Sequence, residues 1–382
     1  MNIFFRRGLP YFLLFSIYAI VNTYMPIMLK ELRFSASEIG ILLGIIEVAG
    51  ACVPFLITPQ LDRTGRYGTV MYIFGLDIAL LLLPLLRFHS FFVTAVCLAV
   101  FAVGFKGLVP VLDGFTAKAL RADGAQYGKI RALGSAGFVC MSVFLQFSPF
   151  ISGKKPFSVI TGVSIGAILF VASLCRLPDL QAFVHSAPAP AASGTERAPV
   201  SFPKPFWECL LLIFFAFLGL VPCQRFFSLY VEEYIGIEAS AGLWALSAMA
   251  EIPIMIISGK LIQYFGKERL LAVCLCSIVI RNCCYVVLHG ISGAIAGQLL
   301  HSISFGLFYP LSVLLCVSHS LGRTATAMTF FTAVNGFANV IGSITGGYII
   351  EYAGYPALFL CFSVFPLIGI GLYFYMMRRA PY

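Results

Sequence analysis

The chain has 382 residues, 60% of them hydrophobic and only 11% charged, with a mean hydropathy of +0.95. A soluble domain is about 25% charged and at most about half apolar, so no water-soluble fold could hide this much apolar surface. A formal net charge of +9 would suggest nucleic acid in a soluble protein, but here the basic residues follow a membrane topology and no nucleic-acid partner is expected.

Apolar runs of about 20 residues, the length that crosses roughly 30 Å of hydrocarbon, recur along the chain with short polar breaks. The first follows Arg6-Arg7 and reads as a span rather than a signal sequence, because it continues to about Met28 with no small-residue cleavage site after a short core. The first six spans are predicted at roughly 9–30, 38–60, 68–87, 91–117, 127–147 and 156–176. Leu177 to Lys204 contains Ala-Pro-Ala-Pro, Ser-Gly and scattered charges and reads as a flexible cytosolic linker. Six further spans are predicted at roughly 206–231, 239–264, 269–289, 291–318, 324–350 and 355–377. The expected fold is therefore an all-α membrane protein of twelve transmembrane helices, with six-helix halves at 1–176 and 205–382 joined by the linker 177–204. With the N-terminus in the cytosol, only Lys30, Arg33, Arg87, Lys154 and Lys155 fall outside and Lys106, Arg225 and Arg281 fall within spans, out of 25 Lys and Arg. That is the positive-inside bias, with both termini cytosolic, as for an integral protein of an inner membrane. Cys274, Cys276, Cys283 and Cys284 share one apolar helix and lack the paired spacing of a metal site, so no metal is expected.

The two halves resemble each other where the second span of each meets the cytosol. Asp62-Arg63-Thr64-Gly65-Arg66 ends that span in the first half, and Gly259 to Lys267 occupies the equivalent place in the second. The first run resembles the loop signature of the major facilitator superfamily, Gly-x-x-x-Asp-Arg-x-Gly-Arg and a further base, with Thr58 in place of the first glycine and Tyr67 in place of the last base. The resemblance implies that Asp62, Arg63, Gly65 and Arg66 form a gating loop. Parallel six-helix repeats place the substrate site near the midplane between the halves and work by alternating access.

Ionisable side chains are costly in a bilayer and so face cavities and find partners. Glu47, Asp77, Lys106, Asp113, Arg225, Glu251 and Arg281 lie within predicted spans, together with His301. Asp113, near the cytosolic end of span four, and Arg131, early in span five, are expected to pair. Lys106 lies two turns from Asp113 on the same face of span four. An Arg offers a rigid fork of donors and an Asp only acceptors, so the two together suit hydroxyls or a carboxylate, though a purely structural ion pair has the same signature.

The segment from Asp113 to Phe138 resembles the lactose permease branch of the superfamily, with the same eighteen-residue spacing from acid to arginine. The resemblance implies sugar-binding roles for Asp113 and Arg131. Phe138 stands where that branch has a stacking tryptophan and lacks the indole donor, which favours a more apolar ring than a galactoside.

Glu251, Arg281 and His301 lie on three successive spans and form a set suited to carrying a proton. The permease branch has a matching glutamate, arginine and histidine, but Ser304 stands where it places its main proton-carrying glutamate. The stretches Gln298 to Gly306 and Ala250-Glu251-Ile252-Pro253 resemble the 3-phenylpropionate permease subfamily and imply an aromatic acid as substrate. Asn22 and Tyr24 in span one, Gln224 and Arg225 in span seven, and Thr332, Asn335 and Asn339 in span eleven are further candidates to reach the cavity; interhelical hydrogen bonding is the alternative. Glu47, one turn from the position equivalent to Glu251, is a candidate for the same coupling set.

Together these features predict a proton-coupled symporter importing a small organic solute, with the proton as coupling ion, no other cofactor, and action as a monomer in the bilayer. A sugar or nucleoside symporter, an uncoupled facilitator or exporter, and a membrane sensor are the alternatives. The stretch Gly134 to Gln146 has no proline, unlike the span-five motif typical of drug exporters, and no Gly-Lys-Ser/Thr or His-Glu-x-x-His motif points to a pump or an enzyme.

Overall fold

The computed structural model describes residues 3–120, 124–177, 202–288, 290–321 and 323–379. Nearly all of the predicted linker falls outside these ranges, and so do the side chains of Asp62 and Arg63 in the predicted gating loop.

Among the described residues the chain forms helices only. In the first half they are α1 (Ile3–Glu31), α2 (Ala36–Thr64), α3 (Tyr67–Leu80), α4 (Phe91–Ala119), α5 (Gly124–Phe147) and α6 (Pro156–Leu174). The second half has α7 (Lys204–Ile235), α8 (Ser240–Phe265), α9 (Lys267–Val287) and α10 (Ile291–Ser318). A final helical run, Thr324–Arg379, is broken at Gly354, whose φ of 80° and ψ of 177° lie outside the helical region. At about 1.5 Å per residue that run is far too long for one crossing of a core roughly 30 Å thick. Gly354 therefore divides it into α11 (324–353) and α12 (355–379), giving the twelve expected spans. Helices dominate because lipid offers no partners for backbone N–H and C=O groups, so each segment must satisfy its own.

The chain divides into two compact units, Met1–Phe34 with Ile45–Pro199, and Ser35–Gly44 with Val200–Tyr382. The division differs from two clean sequence halves at the start of α2. There Gly40 lies so close to Ser343 and Gly347 that an added Cβ would come within 2.4 Å of the Ser343 carbonyl oxygen, and the Ser37 amide donates to the Glu351 carboxylate at 2.8 Å.

In the first unit α1 packs along α5 and α6, and α3 packs against α4 and α6. Small residues make the α1–α5 contact tight: a Cβ on Gly137 would fall 2.2 Å from the Phe12 carbonyl oxygen, and one on Gly134 would meet the Phe15 ring. In the second unit α7 packs against α11 and α12, α8 against α10, and α9 against α10 and α12. The core of the second unit is aromatic and aliphatic, with Phe206, Phe217, Ile213, Leu275, Ile278 and Phe308 buried. Large apolar side chains such as Phe92, Phe147 and Ile256 stay exposed in the isolated chain, as expected of surfaces that lipid covers.

Three stretches have the wider π-turn winding: Pro222–Phe226 and Tyr230–Ile235 in α7, and Ser302–Leu307 in α10. Such turns insert a residue into the helical ladder and concentrate at functional positions. Arg225 and Ser304 both lie in them, and His301 immediately precedes one.

Candidate functional site

In the first unit Asp113 sits on α4 three residues past Pro110. The Tyr11 hydroxyl of α1 donates to its Oδ1 at 2.8 Å, and Arg131 Nε of α5 lies 3.4 Å from the same oxygen. The Tyr127 hydroxyl interacts with the same carboxylate. Helices α4 and α5 touch only sparingly, α5 riding along α1, and the two residues meet through the α1 face that presents Tyr11. The guanidinium of Arg131 stands 4.4 Å from the centre of the Phe15 ring and 5.7 Å from that of Tyr11. Arg131 and Asp113 are 32% and 29% exposed, and among the described residues no protein acceptor engages the two terminal nitrogens of Arg131. The fork that could grip a carboxylate is thus left open.

Lys106 does not join this set, although it shares the α4 stripe with Asp113. Its ammonium lies 2.6 Å from Glu47 of α2, so Glu47 pairs within the first unit. A small residue allows the approach, since the Lys106 stem runs over Gly50. Asp77 has a structural role, its Oδ2 accepting the Gly104 amide of α4 at 2.9 Å. Tyr24 is buried and donates to the Leu145 carbonyl at 3.3 Å, joining α1 to α5 rather than facing open space. Asn22 and Phe138 are half-buried. The ring found beside Arg131 is Phe15, which the sequence did not single out. The signal was present in the spacing of Tyr11, Phe15, Tyr18 and Asn22, which recur every three or four residues on one face of α1.

In the second unit the predicted trio comes together. Arg281, only 1% exposed, donates from Nη1 to Nδ1 of His301 at 2.9 Å and to the Ser304 hydroxyl at 3.2 Å, from Nη2 to the Gln298 carbonyl at 2.8 Å, and from Nε to the Tyr285 hydroxyl at 3.1 Å. Glu251 Oε1 lies 3.3 Å from His301 Nε2. A guanidinium has no lone pair to offer, so Nδ1 of His301 must accept and the ring proton must sit on Nε2, directed at Glu251. A further proton on Nδ1 would point straight at the guanidinium N–H. The Glu251 carboxylate is the remaining acidic member of the set, and its stem lies over Gly306 in the π turn. Ser304, which stands where the permease pattern has an acid, accepts from Arg281 but supplies no charge. Gln298 and Tyr285 are members that sequence reasoning missed.

Arg225 directs Nε and Nη2 to Asn339 Oδ1 at 3.2 and 3.1 Å, and Asn339 donates to Asn335 Oδ1 at 2.8 Å. These three form one chain between α7 and α11. Gln224 is half-buried beside Arg225. Gly65, with φ of 67°, makes the turn from α2 to α3, and Arg66 is exposed at its end. Among the described residues no group of histidines, cysteines and acids could hold a metal.

The described helices are long and apolar enough to cross a membrane and carry buried, paired charges, which marks an integral multi-pass membrane protein. The chain belongs to the MFS_1 like family, which it matches over residues 6–361. It is 26% identical to a probable 3-phenylpropionic acid transporter of Escherichia coli, over 94% of this chain and 97% of that protein. It is 24% identical to a maltose permease of Geobacillus stearothermophilus, over 97% of this chain and 93% of the permease. An uncharacterized transporter of Bacillus subtilis, YwbF, is also 24% identical over 95% of this chain and 90% of its own. Among solved structures, a variant of the nucleoside transporter NupG superposes with a TM-score of 0.84 at 15% identity, covering 98% of this chain and all of that one. A peptide transporter of the POT family superposes with a TM-score of 0.76 at 12% identity, covering all of this chain and 97% of its own. These superpositions establish the major facilitator fold.

Proposed function

We propose that the protein is a proton-coupled symporter that imports a small organic acid, an aromatic monocarboxylate, by alternating access across an inner membrane with both termini in the cytosol. The observation that supports the coupling is the Glu251–His301–Arg281 chain, which places a carboxylate 3.3 Å from a histidine that is in turn held by a buried arginine. Protonated Glu251 loosens its hold on the His301 N–H and favours the loaded carrier; release of that proton to the cytosol restores the ion–dipole contact and favours discharge. The open fork of Arg131 suits the substrate carboxylate, and the Phe15 and Phe138 rings suit an apolar body. Asp113, already bound by Tyr11, holds the guanidinium in place without filling its fork. The similarity to a probable 3-phenylpropionic acid transporter supports the same substrate class. In this reading Arg225, Asn335 and Gln224 provide the polar contacts of the second unit, and the Asp62 to Arg66 loop is the cytosolic gate. The protein acts as a monomer and needs only lipid and the proton.

The maltose permease among the relatives favours a sugar as the second reading, with Asp113 accepting from hydroxyls. Purified protein in liposomes holding a pH-sensitive dye separates these readings. Adding 3-phenylpropionate, a nucleoside or a galactoside without an imposed proton gradient should acidify the interior only with the aromatic acid. Acidification with the galactoside or nucleoside instead would replace the substrate assignment, and silence with all three while each is taken up would remove the coupling.

A further inference from the structure

The proposed function uses only one of the two ion pairs on the partly open stripe of α4. Lys106 and Asp113 lie about 10 Å apart along the helix axis, at roughly 1.5 Å per residue. An aromatic ladder spans that interval. The Arg131 guanidinium stands over Phe15 at 4.4 Å, Phe15 stacks on Tyr18 at 5.6 Å and 21°, Tyr18 stacks on Phe105 at 4.1 Å and 21°, and the Lys106 ammonium is 6.0 Å from the centre of the Phe105 ring. Phe15 and Tyr18 are half-buried, so part of each remains available, while the Tyr18 hydroxyl donates to the Phe105 carbonyl at 2.7 Å and fixes its ring. At the far end Lys106 is 18% exposed and Glu47 6%. The strip thus has a cation at each end, a carboxylate beside each cation, and rings between.

We propose that this strip reads both ends of its substrate: the carboxylate at Arg131, the ring against Phe15 and Tyr18, and a hydroxyl or amino substituent at the far end of the ring against the Lys106–Glu47 pair. The inference rests on the reading of Arg131 as the carboxylate site and narrows the substrate class from aromatic acids in general to ring-hydroxylated or ring-aminated ones. The chemistry of the pair supports it. A hydroxyl donates to Glu47 and accepts from Lys106, whereas a bare phenyl edge would strip water from both charges and return nothing. Sites built to bond a substrate hydroxyl reject the analogue that lacks it far more strongly than apolar pockets reject an added group.

The test is the ratio of KM values for 3-phenylpropionate and 3-(4-hydroxyphenyl)propionate in proteoliposomes. The wild-type protein should favour the hydroxylated acid by about tenfold or more. Glu47→Gln and Lys106→Met should each bring the ratio close to one, Lys106→Arg should restore part of it, and Arg131→Lys should weaken both acids together. A pair that only ties α2 to α4 would shift thermal melting and expression and leave the ratio where it was. Equal KM values in the wild-type protein overturn the inference without any variant, and leave the symport of aromatic acids standing. A preference that survives in folded Glu47→Gln and Lys106→Met proteins overturns it as well. Uptake of neither acid removes the aromatic-acid reading and this inference with it.

Discussion

His301 accepts from Arg281 through Nδ1, and on this contact rests the proposal that Glu251 is the member of the set that changes its charge. Because the ring proton is committed to the Glu251 side, the glutamate is the group whose loss should uncouple the carrier. Glu251→Gln is expected to abolish uphill accumulation of the aromatic acid while leaving substrate exchange between equal solutions intact, measured as counterflow of radiolabelled substrate in the same vesicles. Uphill uptake at the wild-type rate in that variant would end the assignment. The charged residues of both sets were legible in the sequence because an Asp, Glu or Arg inside an apolar run is expensive enough to need a reason. Tyr11, Phe15, Tyr285 and Gln298 were not. An aromatic or an amide in an apolar helix is indistinguishable from ordinary packing until its neighbours are known, and it is Tyr11 and Phe15 that bring Asp113 and Arg131 together on the face of α1.

Helices α1 and α5 touch where glycine permits it. A side chain at Gly137 would be driven into the Phe12 backbone, and nothing lies within 4 Å of a Cβ built at Gly128 on the same helix. Gly137→Val should therefore destabilise the first unit by about 1–3 kcal/mol, the usual cost of overpacking, while Gly128→Ala should not. Thermal melts of the two variants in detergent make the comparison, and equal midpoints would contradict the tight α1–α5 seam. The positions of all twelve spans could be read from hydropathy, since the physics of satisfying a backbone in lipid leaves helices as the default. The π turns of α7 and α10 could not, because an inserted residue changes which face a side chain occupies without changing hydrophobicity. Nor did the pairing of Lys106 with Glu47 follow from the stripe Lys106 shares with Asp113. Residues on one helix face can serve different neighbours, and α2 claims one while α1 and α5 claim the other.

For the molecule as a whole, the distribution of basic residues implies an orientation that can be measured. A cysteine placed at the exposed Lys154, in a background without the native exposed cysteines, should react with an impermeant thiol reagent added to intact cells. One placed at the exposed Lys260 should react only after the membrane is opened. The reverse pattern would invert the topology. The repeat at the cytosolic ends of the second and eighth spans pointed to a two-part architecture, but the grouping of the first turns of α2 with the second unit could not be read, since it depends on Gly40 meeting Gly347 far along the chain. The locked histidine has a consequence for energetics too. If, as proposed, Glu251 alone carries one proton per cycle and the cargo is a singly charged acid, each turnover moves no net charge. Accumulation should then follow the pH difference alone, by about tenfold per pH unit at one proton per substrate. An imposed potassium-diffusion voltage should leave the steady-state level unchanged, so a cell with a collapsed membrane potential but an intact pH gradient could still fill itself through this carrier.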